Sequence, residues 1–443
     1  MLIKHAHIVS DTEYTADIQI TDHIISAIGQ SLAPRDHEQV IDATGAIVMP
    51  GLIDVHVHFR EPGFTAKETI KTGAAAAAHG GFTTVVAMSN LKPVPDTVET
   101  LKPLLEKNQT DAKITVLQFA PITHDLHSDQ VVDMAALQAT GALGFSNDGV
   151  GVQDADTMYQ AMQQAAKLHA PIVAHIEDAS LMHGGVINAG PVAKKLNLPG
   201  IMNQTESSQL ARDLELAAAT GVHYHACHVS TRQSVDLIRE AKKRGVNVTA
   251  EVSPHHLLLD ENNIPGDNPM FKMNPPLRSR ADHLALLEGL QDGTLDMIAT
   301  DHAPHTAAEK TGSFKTAAFG IVGSETAFST LYTKLVKSKM FTLKQLIARM
   351  STIPAEKFDL PGGHITVGGP ADLTIMDLDT PYTIDPADWF SKGKNSPFIG
   401  IKSTVKHCTR SVRGKLLTQE REPAWASNWQ ARLKERQPAL KKV

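Results

Sequence analysis

Apolar and polar positions alternate with period two through Asp54-Val55-His56-Val57-His58-Phe59-Arg60. That period predicts a β-strand with both histidines on one face and Val55 and Val57 on the other. Upstream, Ala16–Ile20 and Ile24–Gly29 read as short strands, and Gly45 and Pro50-Gly51 punctuate the end of this stretch. From residue 51 to 359, apolar runs alternate with longer helical segments. Eight candidate strands cover 52–58, 82–88, 114–119, 142–146, 171–175, 223–229, 246–252 and 296–300. Eight such alternations predict an α/β fold, a (β/α)8 TIM-like barrel. Between the first two strands, Thr65-Ala66-Lys67-Glu68 fits a helix capping box, and Ala74–Ala78 before Gly80-Gly81 fits a helix and its stop. After residue 360 the pattern returns to turns and strands at Ala371–Met376 and Lys402–Lys415. Residues 1–50 and 360–425 are therefore expected to build one small β-rich domain from both chain ends. The polar stretch from Gln419 onward predicts a loosely ordered arm, assigned to residues 426–443.

Composition narrows the function without naming it. Apolar residues make up 42% and charged residues 20% of the 443, as in ordinary globular proteins, and the net charge is −6. A mildly acidic chain without a long basic run argues against a nucleic-acid partner. No apolar run approaches the roughly 20 residues that span a bilayer, and the start reads as a strand without a signal-peptide core. Cys227 and Cys408 are the two cysteines, so disulfides are not the framework and a reducing cytoplasm is the expected location. The 22 histidines stand out, at about twice ordinary usage.

The candidate chemistry follows from where these histidines fall. In a (β/α)8 barrel, reactive groups sit at the C-terminal ends of strands. His56 and His58 close the first strand, Asp148 follows the fourth, and His175, His228 and Asp301 close later ones. Four imidazoles and two carboxylates suit Zn²⁺, with Mn²⁺ or Co²⁺ as substitutes. Six ligands exceed one tetrahedral ion, so two ions sharing a carboxylate are expected. His225, His255 and His256 also lie near strand ends, where packing or support of the ligands is the simpler role. Cys227 reads as a small buried apolar residue.

With these residues the chain resembles the dihydroorotases of the amidohydrolase superfamily, in the bacterial form whose metals are bridged by an aspartate. The resemblance runs from about 45 to 415. It is carried by Asp54–Gly63, Gly80–Thr84, Asn147–Gly151, Cys227–Thr231, Pro254-His255-His256, Lys272–Arg278 and Ala299–His305. It implies that His56, His58 and Asp301 hold one zinc, His175 and His228 the other, and Asp148 bridges them. Relatives such as hydantoinases bridge with a carboxylated lysine at the fourth strand. No lysine occurs from Gly144 to Gly151. Two departures stand out: Ser89 replaces a usual proline before Asn90, and Asn147 stands where relatives often have a second aspartate.

The implied activity is reversible cyclisation of N-carbamoyl-L-aspartate to dihydroorotate plus water, a step of pyrimidine biosynthesis, through hydroxide at a binuclear zinc centre. Asp301 is expected to shuttle the proton as well as bind metal. For the substrate carboxylate the resemblance implies Arg60, Asn90 and His305, beside His58. For the ring amide it implies Asn274 and backbone groups of Phe319 and Gly320. The plainer alternatives are a salt bridge for Arg60 and turn amides for Asn90 and Asn274. The long segment His305–Thr316 is a candidate mobile lid. Rival functions are another cyclic amidohydrolase (hydantoinase or allantoinase) and an inactive scaffold for aspartate transcarbamoylase. Expected partners are the small-molecule substrate, a second copy in a homodimer, and aspartate transcarbamoylase.

Overall fold

The computed structural model describes residues 1–412 together with 415 and 416. The expected arm at 426–443, and the end of the 360–425 segment, lie outside the described residues. Strands β1 (Leu2–Val9), β2 (Glu13–Thr21), β3 (Ile24–Gly29), β4 (Val40–Asp42) and β5 (Ile47–Pro50) open the chain. Next come β6 (Leu52–Val57), β7 (Phe82–Ala87), β8 (Thr115–Gln118), β9 (Ile172–Ala174), β10 (Ile187–Asn188), β11 (Gly200–Ile201), β12 (Tyr224–Ala226), β13 (Val248–Val252) and β14 (Met297–Ile298). The last strands are β15 (Leu373–Asp377), β16 (Tyr382–Thr383), β17 (Lys402–Ser403), β18 (Lys406–Val412) and β19 (Lys415–Leu416).

One sheet joins the two ends of the chain. Its order is β19-β18-β15-β5-β1-β2-β3, with β4 also on β1. The seam is the antiparallel pair β15–β5, in register from Leu373 opposite Pro50 to Met376 opposite Ile47. Ile3, Ile8, Ile18, Ile25, Val48, Leu373 and Ile375 form its own apolar cluster. Burial of such side chains at about 25 cal/mol per Å² is what holds two segments over 300 residues apart together.

The strands from β6 to β14 pair in parallel with helices between them, giving the α/β architecture expected. β6-β7-β8 form one set and β9-β12-β13-β14 another. Parallel bridges Ala120–Phe145 and Phe145–Ile172 link the sets on one side, and Val57–His302 links them on the other. The connecting helices carry readable signals. Helix Arg232–Lys243 is capped by Thr231, whose side chain accepts from Ser234 N, and it buries Ser234, Val235, Ile238 and Ala241. That spacing places one stripe against the strands, and losing such a cap costs about 1 kcal/mol.

Two local expectations need correction. The run 142–146 is not a strand; it is represented by the bridges at Phe145. Phe145 N donates to Pro171 O and Val173 N to Phe145 O, but Pro171 has no N–H to extend the ladder. The capping box also sits later than expected. Helix Ile70–His79 begins at Thr69, which makes the reciprocal bonds with Thr72, and it stops at Gly80. Glu68 is instead buried, with its carboxylate taken by Ser391, Lys392 N and Thr72.

Candidate active site

The strand ends deliver the site. β6 presents Asp54 and His56, with His58 just beyond its end, on one face, while Val55 and Val57 enter two different apolar clusters. Asp54 is fully buried and accepts from His56 N, Thr300 N and Thr300 Oγ1, which ties the first strand to the residue before Asp301. Burial pushes its carboxyl up to about 7. Three residues at the mouth have left-handed backbones: Arg60 (φ 59°), His228 (φ 34°) and Asp301 (φ 48°). Such conformations cost of order 1–3 kcal/mol each and persist where surrounding structure enforces them, typically at functional sites.

All six expected ligands converge. Asp148 Oδ1 lies 3.3 Å from His56 Nε2, 3.4 Å from His175 Nδ1 and 3.7 Å from His228 Nε2. Its other oxygen lies 3.4 Å from His58 Nε2. Asp301 Oδ1 is 3.1 Å from His58 Nε2 and 3.6 Å from His56 Nε2. His175 Nδ1 and His228 Nε2 are 3.0 Å apart. One carboxylate therefore faces two groups of imidazoles. The donor atoms of His56, His58 and Asp301, and those of His56, Asp148 and His228, each lie within 4.8 Å of one another. His56 Nε2 and Asp148 Oδ1 are buried and lack a hydrogen-bond partner among the described residues. Buried polar atoms without partners are expensive, and imidazole nitrogens aimed at carboxylate oxygens are the donor set of a divalent cation. The residues fit a metal centre.

Charge follows the same geometry. Burial works against ionisation of Asp148, but His56, His175 and His228 outweigh it and hold the carboxyl well below its usual range. Burial likewise opposes ionisation of Asp301, and the bond to His58 with the charges of His56 and His58 brings it down to about 2. Both side chains are thus carboxylates at neutral pH.

The substrate residues expected from sequence divide into those at the site and those beside it. Asn90 is at the site: Oδ1 meets His58 Nδ1 at 3.0 Å and Nδ2 donates to Asp148 at 3.3 Å. Arg60 is half-buried, donates to Pro304 O at 3.4 Å, and makes no ion pair among the described residues. His305 is buried with neither ring nitrogen hydrogen-bonded among the described residues; burial, then the Arg60 charge, pushes it down to about 3. Asn274 reaches the cluster through Glu177, donating at 2.5 Å to a carboxylate that lies 3.6 Å from His175 Nε2. Phe319 packs under Lys272, with the ammonium 4.1 Å from its ring centre. Gly320 (φ 125°) adjoins His305; a Cβ there would sit 3.1 Å from His305 Nε2. Its own N–H donates to Lys272 O, and its carbonyl accepts from Lys310 and Asn395, so those groups are already used. The 305–316 segment is anchored rather than free-standing: Phe314 and Lys310 are buried, and Ser313 and Phe314 N bond Asp267.

Sequence reasoning missed Glu251. It is buried on β13, accepts from His56 Nδ1 at 2.6 Å and His225 Nε2 at 3.0 Å, and so aims His56 Nε2 at Asp148. The signal was there: an acid between apolar neighbours on a buried strand needs a partner. His225 supports Glu251 from the other side and bonds Thr249, as its packing role implied. Cys227 is buried and burial raises its thiol, in keeping with an apolar role.

Comparison with known proteins agrees with this geometry. Residues 45–234 match the family model described as Dihydro-orotase-like. A dihydroorotase from Latilactobacillus sakei is 57% identical over 90% of this chain and 94% of its own. One from Lactiplantibacillus plantarum is 59% identical over 94% and 97%. Among solved structures, an L-hydantoinase (dihydropyrimidinase) from Arthrobacter aurescens superposes with a TM-score of 0.85 at 25% identity, covering 95% of this chain and 96% of that one. A D-hydantoinase from Thermus sp. gives 0.82 at 28%, covering 95% of each. The hydantoinases share the architecture, whereas sequence identity well above 50% over almost the whole length is with dihydroorotases: this chain belongs to the dihydroorotase family.

Proposed function

We propose that the enzyme interconverts N-carbamoyl-L-aspartate and dihydroorotate plus water at a pair of zinc ions held by His56, His58, Asp148, His175, His228 and Asp301. The observation that carries this reading is the convergence of those six side chains, with the two oxygens of Asp148 facing different imidazoles. We read the scaffold as a closed (β/α)8 barrel over 51–359, with 1–50 and 360 onward as one β-rich domain. Support comes from the parallel bridges at both edges of the strand sets and the sheet shared by the chain ends.

Divalent cations bound there supply Lewis acidity and lower the pKa of water from 15.7 towards about 7. The chain's own groups do the rest. In the hydrolytic direction a water oxygen bonds to the ring carbonyl carbon and the ring C–N bond breaks. Asp301 takes the proton the water gives up and passes it to the departing nitrogen. Its side chain is ionised at neutral pH and so has an oxygen free to take that proton, and it stands 3.1 Å from His58 Nε2. The substrate carboxylate is met by the Arg60 fork, the Asn90 amide and a neutral His305 N–H. Asn274, held by its bond to Glu177, is assigned to the ring amide. In the reverse direction the same residues act in the opposite order.

The test is turnover of dihydroorotate beside hydantoin and allantoin, with metal counted on the purified protein. About two zinc ions per subunit and a strong preference for dihydroorotate are expected. Preference for either of the other substrates would refute the substrate assignment, and metal-free inactive protein would favour a scaffold. We extend the reading to a cytoplasmic homodimer able to associate with aspartate transcarbamoylase. Sedimentation and co-purification from cell extract test that extension.

A further inference from the structure

The segment Ser391–Phe398 comes from the far end of the chain and lies against the loop that follows Asp301. Two buried acids hold it there. Glu325 accepts from Phe390 N (2.9 Å) and Ser391 N (3.2 Å), and Glu68 accepts from Ser391 Oγ (2.5 Å) and Lys392 N (3.3 Å). Contact is close: a Cβ on Gly393 would fall 2.7 Å from Pro304 Cβ. The segment delivers one side chain, Asn395, which is 1% exposed.

Asn395 saturates its amide on the backbone of two site loops. Nδ2 donates to Ala303 O and Gly320 O, both at 3.0 Å, and Oδ1 accepts from His305 N at 3.1 Å. Its own carbonyl accepts from Val322 N at 2.8 Å. The Gly320 carbonyl takes a second bond from Lys310 Nζ at 2.9 Å, and that same ammonium holds Lys272 O and Ala318 O. One amide thus spans the backbone of His305 and of Gly320, and a buried lysine grips the latter from its other side. Neither Asn395 nor Lys310 is aimed at the six-residue cluster.

We propose that Asn395 is a positioning residue for the substrate's carboxylate: it sets where His305 stands by tying that loop to the Gly320 turn, which Lys310 holds as its counterpart. This rests on the reading of His305 as a contact for that anion. A side chain that fixes two loops by three bonds to main-chain groups acts on geometry, and misplacement by about 1 Å can cost up to 100-fold in the reaction served. Because the displaced groups bind rather than react, the loss falls on KM.

The experiment is steady-state kinetics on dihydroorotate for N395A, N395D, H305A and the double variant H305A/N395A, with Tm recorded for each. N395D keeps the acceptor for His305 N–H and loses both donated bonds. For N395A, KM is expected to rise about tenfold with kcat within about threefold, and N395D, whose second carboxylate oxygen would face the Ala303 and Gly320 carbonyls, to rise at least as far. In the H305A background, N395A is expected to add little to KM, which a merely structural residue would not produce. If the Asn395 variants do not fold, K310M decides: a raised KM with kcat kept supports the proposal, and an unchanged KM overturns it. Additive effects in the double variant, or KM unchanged in folded N395A, overturn it as well. Wild-type protein inert on dihydroorotate would instead overturn the functional reading beneath it.

Discussion

Replacing Glu251 by glutamine isolates the contribution of one carboxylate to the metal centre. In the native structure its two oxygens take His56 Nδ1 at 2.6 Å, His225 Nε2 at 3.0 Å and His228 N at 3.2 Å, all out of contact with solvent. Both imidazoles can donate to a carboxylate. A glutamine offers one acceptor oxygen and one NH2, so one of the two histidines must switch tautomer or lose its bond. If His56 switches, its Nε2 carries a proton and turns away from ligand duty. A hydrogen bond to a charged group contributes about 1.5–3 kcal/mol. At 1.4 kcal/mol per tenfold, that is roughly 10- to 100-fold in zinc affinity, the range found for groups that orient metal-binding histidines. Competition with a chromophoric chelator measures it directly, and activity at saturating zinc is expected to recover most of the loss. Zinc affinity within about threefold of wild type, in a variant with native circular dichroism, would refute the reasoning.

Three further outcomes are expected. Asp301→Asn retains a metal-binding oxygen but not the proton acceptor, so kcat should fall by about 100-fold or more with zinc content kept; undiminished kcat would leave Asp301 a ligand alone. Removal of metal by a strong chelator should abolish activity and lower Tm, with zinc restoring both, since a ligand at 1,000 times its Kd stabilises by about 4 kcal/mol; activity persisting in protein shown to be zinc-free would contradict the centre. The pH dependence of stability offers a third. His305 is pushed down to about 3 by burial and Arg60, below its unfolded value of about 6.5. Below pH 6.5 the unfolded chain gains a proton that the native chain refuses, so stability falls as pH drops through that window, at up to about 1.4 kcal/mol per unit. His305→Gln should flatten this slope in denaturant titrations between pH 6.5 and 4; parallel wild-type and variant profiles would disprove the assignment.

Much of the site was legible because the six expected ligands lie at or just beyond the ends of apolar runs. His56 and His58 follow from a period of two, and His175 and His228 from the ends of apolar runs. Boundaries were harder where a distant segment intervenes. Glu68 looks like a helix cap beside Thr65, yet its carboxylate serves Ser391 and Lys392, more than 320 residues away. The fourth strand shrinks to Phe145 because its neighbour is Pro171, and a strand's length depends on its partner as well as on itself. Asp154, six residues after Asp148, has a local role: it caps helix Ala155–Lys167.

By itself the order of residues determined the alternation of strands and helices, the chemical types at the strand ends and the absence of a bridging lysine. These depend on side-chain period and identity, which are local. Only the tertiary structure decided that Glu251 steadies His56, that Glu177 stands between Asn274 and His175, and that Asn395 reaches the His305 loop from the chain's far end. Those contacts join residues 97, 195 and 90 positions apart. No local period encodes such pairings, because they arise when strands from separate parts of the chain pack side by side and buried polar groups must find partners.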